Sequence, residues 1–99
     1  MSKMKSTLYY FLQNRVSDKP TVSEFTFTGI PRENVKITYN VNTRTFKFFG
    51  TSKTREYLYY VEIPKGRYDV DSAKFSLENG VLLFEIDSVK DEIKTFEIN

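Results

Sequence analysis

The Asn79-Gly80 pair, set in the stretch A-K-F-S-L-E-N-G-V-L-L-F-E-I over residues 73–86, constrains this chain more than any other feature. A two-residue type I′ turn needs φ > 0 at both central positions, and Asn-Gly meets that need at little steric cost. The flanking segments therefore read as two antiparallel strands of one hairpin. Apolar residues at alternate positions, bounded by turn residues, recur along the rest of the chain, which is the period of strands and not of helices.

Read this way, strands are expected over residues 8–16, 22–28, 35–39, 45–49 and 56–63, with the hairpin adding two more. Phe25 and Phe27 share one face of their strand, as do Phe46 and Phe48. With Leu82 and Phe84 they form the expected core. Pro31 cannot donate to a sheet ladder, and Pro64-Lys65-Gly66 stops the tyrosine-rich segment before it. The continuous apolar run 81–84 is expected to be covered on both faces. No helix of useful length is legible; only residues 91–95 suit a single turn. About seven short strands with turns every 8–12 residues describe an all-β, immunoglobulin-like antiparallel β-sandwich. The chain divides into a short N-terminal arm (1–7), the sandwich (8–87) and a C-terminal extension (88–99).

Composition narrows the chemistry. The 99 residues include no cysteine and no histidine, which removes thiol nucleophiles, the commonest general base and the commonest metal ligand. No phosphate-cradling glycine loop is present. No enzyme, catalytic residue, metal site or cofactor is expected. The pairs Asp69/Asp71 and Asp91/Glu92 read as solvated turns. The apolar run at residues 8–12 is too short for a signal peptide, and nothing approaches the ~20 residues of a membrane span. A cytoplasmic protein without membrane contact is the expectation. Net charge is +2, distributed as +7 over residues 1–55 and −5 over 56–99. Lys36, Lys47 and Lys53 form no dense cluster, so no nucleic-acid partner is expected, although a base-stacking β-domain stands as a third reading.

The hairpin resembles the signature A-x-L-x-N-G-V-L of the small heat-shock (alpha-crystallin) proteins, matched by Leu77, Asn79, Gly80, Val81 and Leu82. The run F-T-F-T-G-I-P-R-E-N-V-K-I-T-Y over residues 25–39 is similar to that family's strand, Pro/Gly break and following strand. Phe46-Lys47-Phe48-Phe49-Gly50 resembles its L-x-I-x-G strand end. Ile63-Pro64-Lys65-Gly66 followed by Asp69-Val70-Asp71 resembles its L-P-x-G-V-D segment. The departures are that the family alanine falls on Phe75 and the bulkier position on Ala73, and that the family arginine before L-P falls on Tyr59. The connection 50–55 is shorter than the one that carries an exchanged strand in bacterial and plant members.

The resemblance implies an alpha-crystallin domain and an ATP-independent holdase that binds partly unfolded client proteins and assembles with itself into a dimer or small oligomer. It also implies that Phe96-Glu97-Ile98 stands where many members carry an I-x-I docking motif. Phe96 and Ile98, two apart in an extended segment, point to one side. The acceptor groove is expected between Val35, Ile37 and Tyr39 on one strand and Ala73, Phe75 and Leu77 on another. The other readings of the tail are a frayed end or a last strand folded back on its own domain. Tyr57, Tyr59, Tyr60, Tyr9 and Phe11 are the candidate interface or client contacts. A co-chaperone adaptor resembling the CS domains is the alternative function, favoured by the short 50–55 connection.

Overall fold

The computed structural model describes residues 3–13, 18–89 and 94–99. Seven strands form among them: β1 (Met4–Phe11), β2 (Thr21–Thr26), β3 (Val35–Asn40), β4 (Thr45–Thr51), β5 (Arg55–Glu62), β6 (Tyr68–Glu78) and β7 (Val81–Ser88), with a single 3-10 turn at Arg32–Asn34 before β3. The expected turn at 91–95 and the Asp91/Glu92 pair fall largely on residues outside those described, as does the end of the strand expected over 8–16.

Asn79 (φ 51°) and Gly80 (φ 75°) both take the left-handed backbone that the type I′ turn requires. Glu78 therefore pairs with Val81, Leu77 with Leu82 and Phe75 with Phe84. The ladder between β6 and β7 then shifts register between Asp69 and Lys74. At that irregularity the Asp69 carboxylate accepts the Asp71 N–H at 3.2 Å and the Ser72 hydroxyl donates to the Asp69 carbonyl at 2.6 Å. The Asp69/Asp71 pair is thus part of a turn-like kink.

The strands pack as two sheets, ordered β1-β5-β4-β3 and β2-β7-β6. Alternation puts Phe46, Phe48, Tyr59 and Val61 of the first sheet against Phe25, Leu82, Phe84 and Ile86 of the second, all buried together with Phe27. The rings meet edge-on: Phe25 on Phe48 at 5.0 Å between centroids, Phe46 on Phe84 at 5.0 Å, and Phe75 on Phe84 at 5.3 Å. Edge-to-face pairs of this kind contribute about 0.5–1.5 kcal/mol each beyond burial alone. Every residue expected in the core lies there.

Two features depart from the expectation. The run 81–84 lies in the central strand of a three-stranded sheet, yet only Leu82 and Phe84 are buried. Val81 and Leu83 are half-buried on its outer face, because the sandwich has two layers and that face is on the outside. The first strand begins at Met4, taking in residues 4–7 of the expected arm. It pairs in parallel with β5, Met4 opposite Arg55 and Phe11 opposite Glu62, whereas all the other pairings are antiparallel. Lys3 fastens its start, with Nζ donating to the Thr51 hydroxyl at 2.6 Å. Tyr68 fastens its end, with its hydroxyl donating to the Gln13 carbonyl at 2.6 Å.

Candidate functional site

β3 and β6 are the edge strands of opposite sheets, and they run along the same side of the sandwich. Between them lies an open groove of about 170 Å³ lined by Val35, Ile37, Phe75, Leu77 and Leu82, with Arg32 and Ser76 at its margin. The groove follows from alternation. Val35 and Ile37 face inward on β3, Phe75 and Leu77 face inward on β6, and no further strand closes that side among the described residues.

Four of the six residues expected to line the groove do so. Tyr39 and Ala73 do not. Tyr39 turns onto the core, its ring 4.6 Å from that of Phe46, and Ala73 sits at the β6 kink, where the ladder is interrupted. Arg32 and Leu82 line the groove without having been expected there. Leu82 could have been found as the cross-strand partner of Leu77. Arg32 arrives through the turn that precedes β3, which periodicity does not report.

Phe75 sets the groove's width. Its ring packs 5.9 Å from Phe46, 5.6 Å from Phe48 and 5.3 Å from Phe84, so it partly fills space that a small side chain leaves open. An apolar cavity of about 150 Å³ takes up one benzene-sized group. On that scale the open groove has room for about one Phe or Ile side chain, and not two.

The tail residues Phe96 and Ile98 are exposed, with no apolar cover from the rest of the described chain. The aromatic set divides between the two faces of β5. Tyr57 and Tyr59 point inward. Tyr59 is buried, its hydroxyl donating to the Thr26 carbonyl at 2.7 Å, and Tyr57 is half-buried beside Phe27 and accepts from Arg55 at 3.4 Å. Residues 57 and 59 share the core-facing parity of Val61, so Tyr59 belongs to the core while Tyr57 keeps a partly exposed ring. Tyr60 points outward and stacks on Tyr9 at 4.8 Å, and Phe11 is exposed on the same face.

Burial, reinforced by the neighbouring Tyr57, pushes the Tyr59 hydroxyl above the usual tyrosine range. Among the described residues no group of three or more carboxylate, imidazole or thiol side chains gathers to hold a metal, and no helix is long and apolar enough to cross a membrane.

The arrangement of the two sheets, the N-G hairpin and the edge groove is that of an alpha-crystallin domain. The chain is similar in structure to HSP18.5 from E. histolytica (TM-score 0.61, 14% identity, covering 83% of this chain and 90% of that one). It is also similar to heat shock protein 16.0 from Schizosaccharomyces pombe (TM-score 0.55, 15% identity, covering 84% and 98%) and to a rat alpha crystallin domain (TM-score 0.61, 11% identity, covering 87% and 97%). No family model matches the sequence, and no curated protein is similar to it in sequence. At these identities the likeness is one of fold.

Proposed function

We propose that the chain is an ATP-independent holdase of the small heat-shock type, which binds exposed apolar segments of partly unfolded proteins and assembles with copies of itself. The observation that carries this reading is the β3–β6 groove. It combines an apolar floor with two open strand edges, the combination that strand-addition recognition uses. Main-chain hydrogen bonds along an edge accept any extended segment, and the single apolar seat asks only for a large apolar side chain. Such binding lowers the population of unfolded chains free to aggregate without a chemical step. The tail has the same form as such a ligand. Its Phe96 and Ile98 share one side and Glu97 carries a charge complementary to Arg32, so a tail seated in the groove of another copy competes with clients for it.

The test is to heat a model client with and without the protein and follow light scattering. Suppression that rises when Phe96 and Ile98 are both changed to Ala supports a groove shared by tail and client. Scattering unaffected by the protein at molar excess removes the holdase reading.

A second reading, an adaptor that binds a folded partner as CS-domain co-chaperones do, is favoured by one observation. The β4–β5 connection is only a short turn closed by the Ser52 N–H to Arg55 carbonyl bond at 2.8 Å, which leaves no room for an exchanged strand. An adaptor leaves client scattering unchanged, so the same experiment separates the two.

A further inference from the structure

β1 is the outer strand of its sheet, and all eight of its residues are exposed. Its backbone polarity is fixed by two bonds at its ends: the Met4 N–H donates to the Thr54 carbonyl at 3.0 Å, and the Leu12 N–H to the Glu62 carbonyl at 3.1 Å. In a strand the N–H and C=O of one residue point to the same side, and successive residues alternate. The even-numbered residues therefore bond to β5, and Lys5, Thr7, Tyr9 and Phe11 direct their N–H and C=O groups at the open edge. Proteins blunt such edges with proline, bulges or several charges. This one has no proline, an unbroken register with β5 and a single charge, Lys5. Tyr9 and Phe11 are 68% and 66% exposed on it.

We propose that this edge pairs antiparallel with the same edge of a second copy of the chain, Leu8 lying on the twofold axis, to make one continuous sheet. The axis stands perpendicular to the sheet, so outer faces stay together and opposed residues must have the same parity. With the axis at Leu8, Thr7 meets Tyr9 of the second copy and Lys5 meets Phe11. All four residues are ones whose backbone groups point at the edge, so each opposed pair exchanges both of its hydrogen bonds.

Charge favours this register, because it adds a second carboxylate to the Glu56 that Lys5 already faces on its own β5. Phe11 lies beside Glu62 on β5, so Lys5 of one copy stands two strands, about 10 Å at the usual strand spacing, from Glu62 of the other. A lysine and a glutamate side chain reach across that gap, and symmetry makes the ion pair twice. Moving the axis to Thr7 sets Lys5 opposite Tyr9, with Tyr60 behind it, and the pair is lost. Because the strand is complementary to itself in hydrogen bonds and apolar contact, and Glu62 beside it on β5 answers Lys5, the partner is a second copy. β1 also covers the edge of β5, which turns association away from that strand. The inference does not rest on holdase activity.

Sedimentation equilibrium of the full chain tests it. The wild type is expected to sediment at no less than twice its 11.7 kDa monomer mass. Thr7→Pro deletes an edge N–H while leaving the β1–β5 bonds in place, and is expected to raise the dissociation constant roughly tenfold or more. Lys5→Met and Glu62→Gln are each expected to raise it roughly two- to tenfold, with the double variant no weaker than the weaker single one. If Thr7→Pro unfolds the chain, the charge cycle decides alone. A wild type that stays monomeric at its highest soluble concentration overturns the proposal. So do strictly additive losses in the charge cycle, or a dimer that dissociates only when residues 94–99 are removed.

Discussion

Gly50 lies in the interior of β4 with ordinary extended backbone, so its value is space and not conformational freedom. A Cβ built there would stand 2.6 Å and 2.8 Å from Cδ1 and Cε1 of Phe27, and 3.1 Å from Cγ2 of Ile30. Phe27 cannot easily yield: it is fully buried, with the Tyr57 and Tyr59 rings edge-on at 5.9 Å and 5.3 Å. Overpacking a tight core costs about 1–3 kcal/mol, and contact with two ring atoms places Gly50→Ala in the upper half of that range. Alanine recovers roughly 0.5–1 kcal/mol over glycine inside a strand. The net loss is therefore about 1–2.5 kcal/mol. At roughly 4–8 °C per kcal/mol for a domain this size, the midpoint falls by roughly 4–20 °C, read by thermal unfolding followed in the far-UV. Phe27→Leu in the same background frees the contested space, so the double variant should lose less than the two single losses combined. A Gly50→Ala protein as stable as the wild type, or additive losses in the double, would refute the close approach of Phe27 to β4.

Gly80→Ala must hold φ at +75° and bring Cβ to 3.1 Å from the Thr28 Cα; a loss of about 1–3 kcal/mol by urea unfolding is expected. Because the Tyr59 pKa is raised by folding, the unfolded chain releases that proton first, so its contribution to stability is complete below about pH 10 and is lost as pH rises through the higher folded value. Stability measured between pH 9 and roughly 11 should therefore fall less steeply in Tyr59→Phe than in the wild type. Tyr68→Phe removes the 2.6 Å bond to the Gln13 carbonyl, a loss of about 0.5–1.5 kcal/mol, and limited proteolysis should cut the segment after β1 faster while leaving the hairpin intact.

The sandwich was legible because its core residues announce themselves locally. Phe25 and Phe27, Phe46 and Phe48, Leu82 and Phe84 each stand two apart, and a two-layer fold buries one parity of each strand. The Asn79-Gly80 turn was legible because few other residue pairs take φ > 0 twice in succession. The groove was legible in part: Val35, Ile37, Phe75 and Leu77 follow from the same parity. Tyr39 and Ala73 depend on a ring contact and a ladder irregularity that alternation does not encode. Among Tyr57, Tyr59 and Tyr60 alternation says that adjacent residues take opposite faces, but which parity faces the core is fixed only by packing, which buries Tyr59 and turns Tyr60 outward.

β1 was least legible, and the reason bears on what the chain does at its edges. Parallel pairing joins residues far apart in sequence, so no turn marks it, and an edge strand exposed on both faces shows no burial alternation. The signals it does carry lie in its partner. Lys5 stands opposite Glu56, and Tyr9 stacks on Tyr60. Each of the four edge strands carries at least one charge: Lys5 on β1, Glu24 on β2, Lys36 on β3, and Lys74 beside the kink of β6. β1 has four consecutive apolar residues, 8–11, and only Lys5 against them. That apolar run and the edge-directed N–H and C=O groups make β1 the edge proposed for pairing with a second copy. The β3–β6 side, with its one open seat narrowed by Phe75, is the side proposed for ligands that extend beside it.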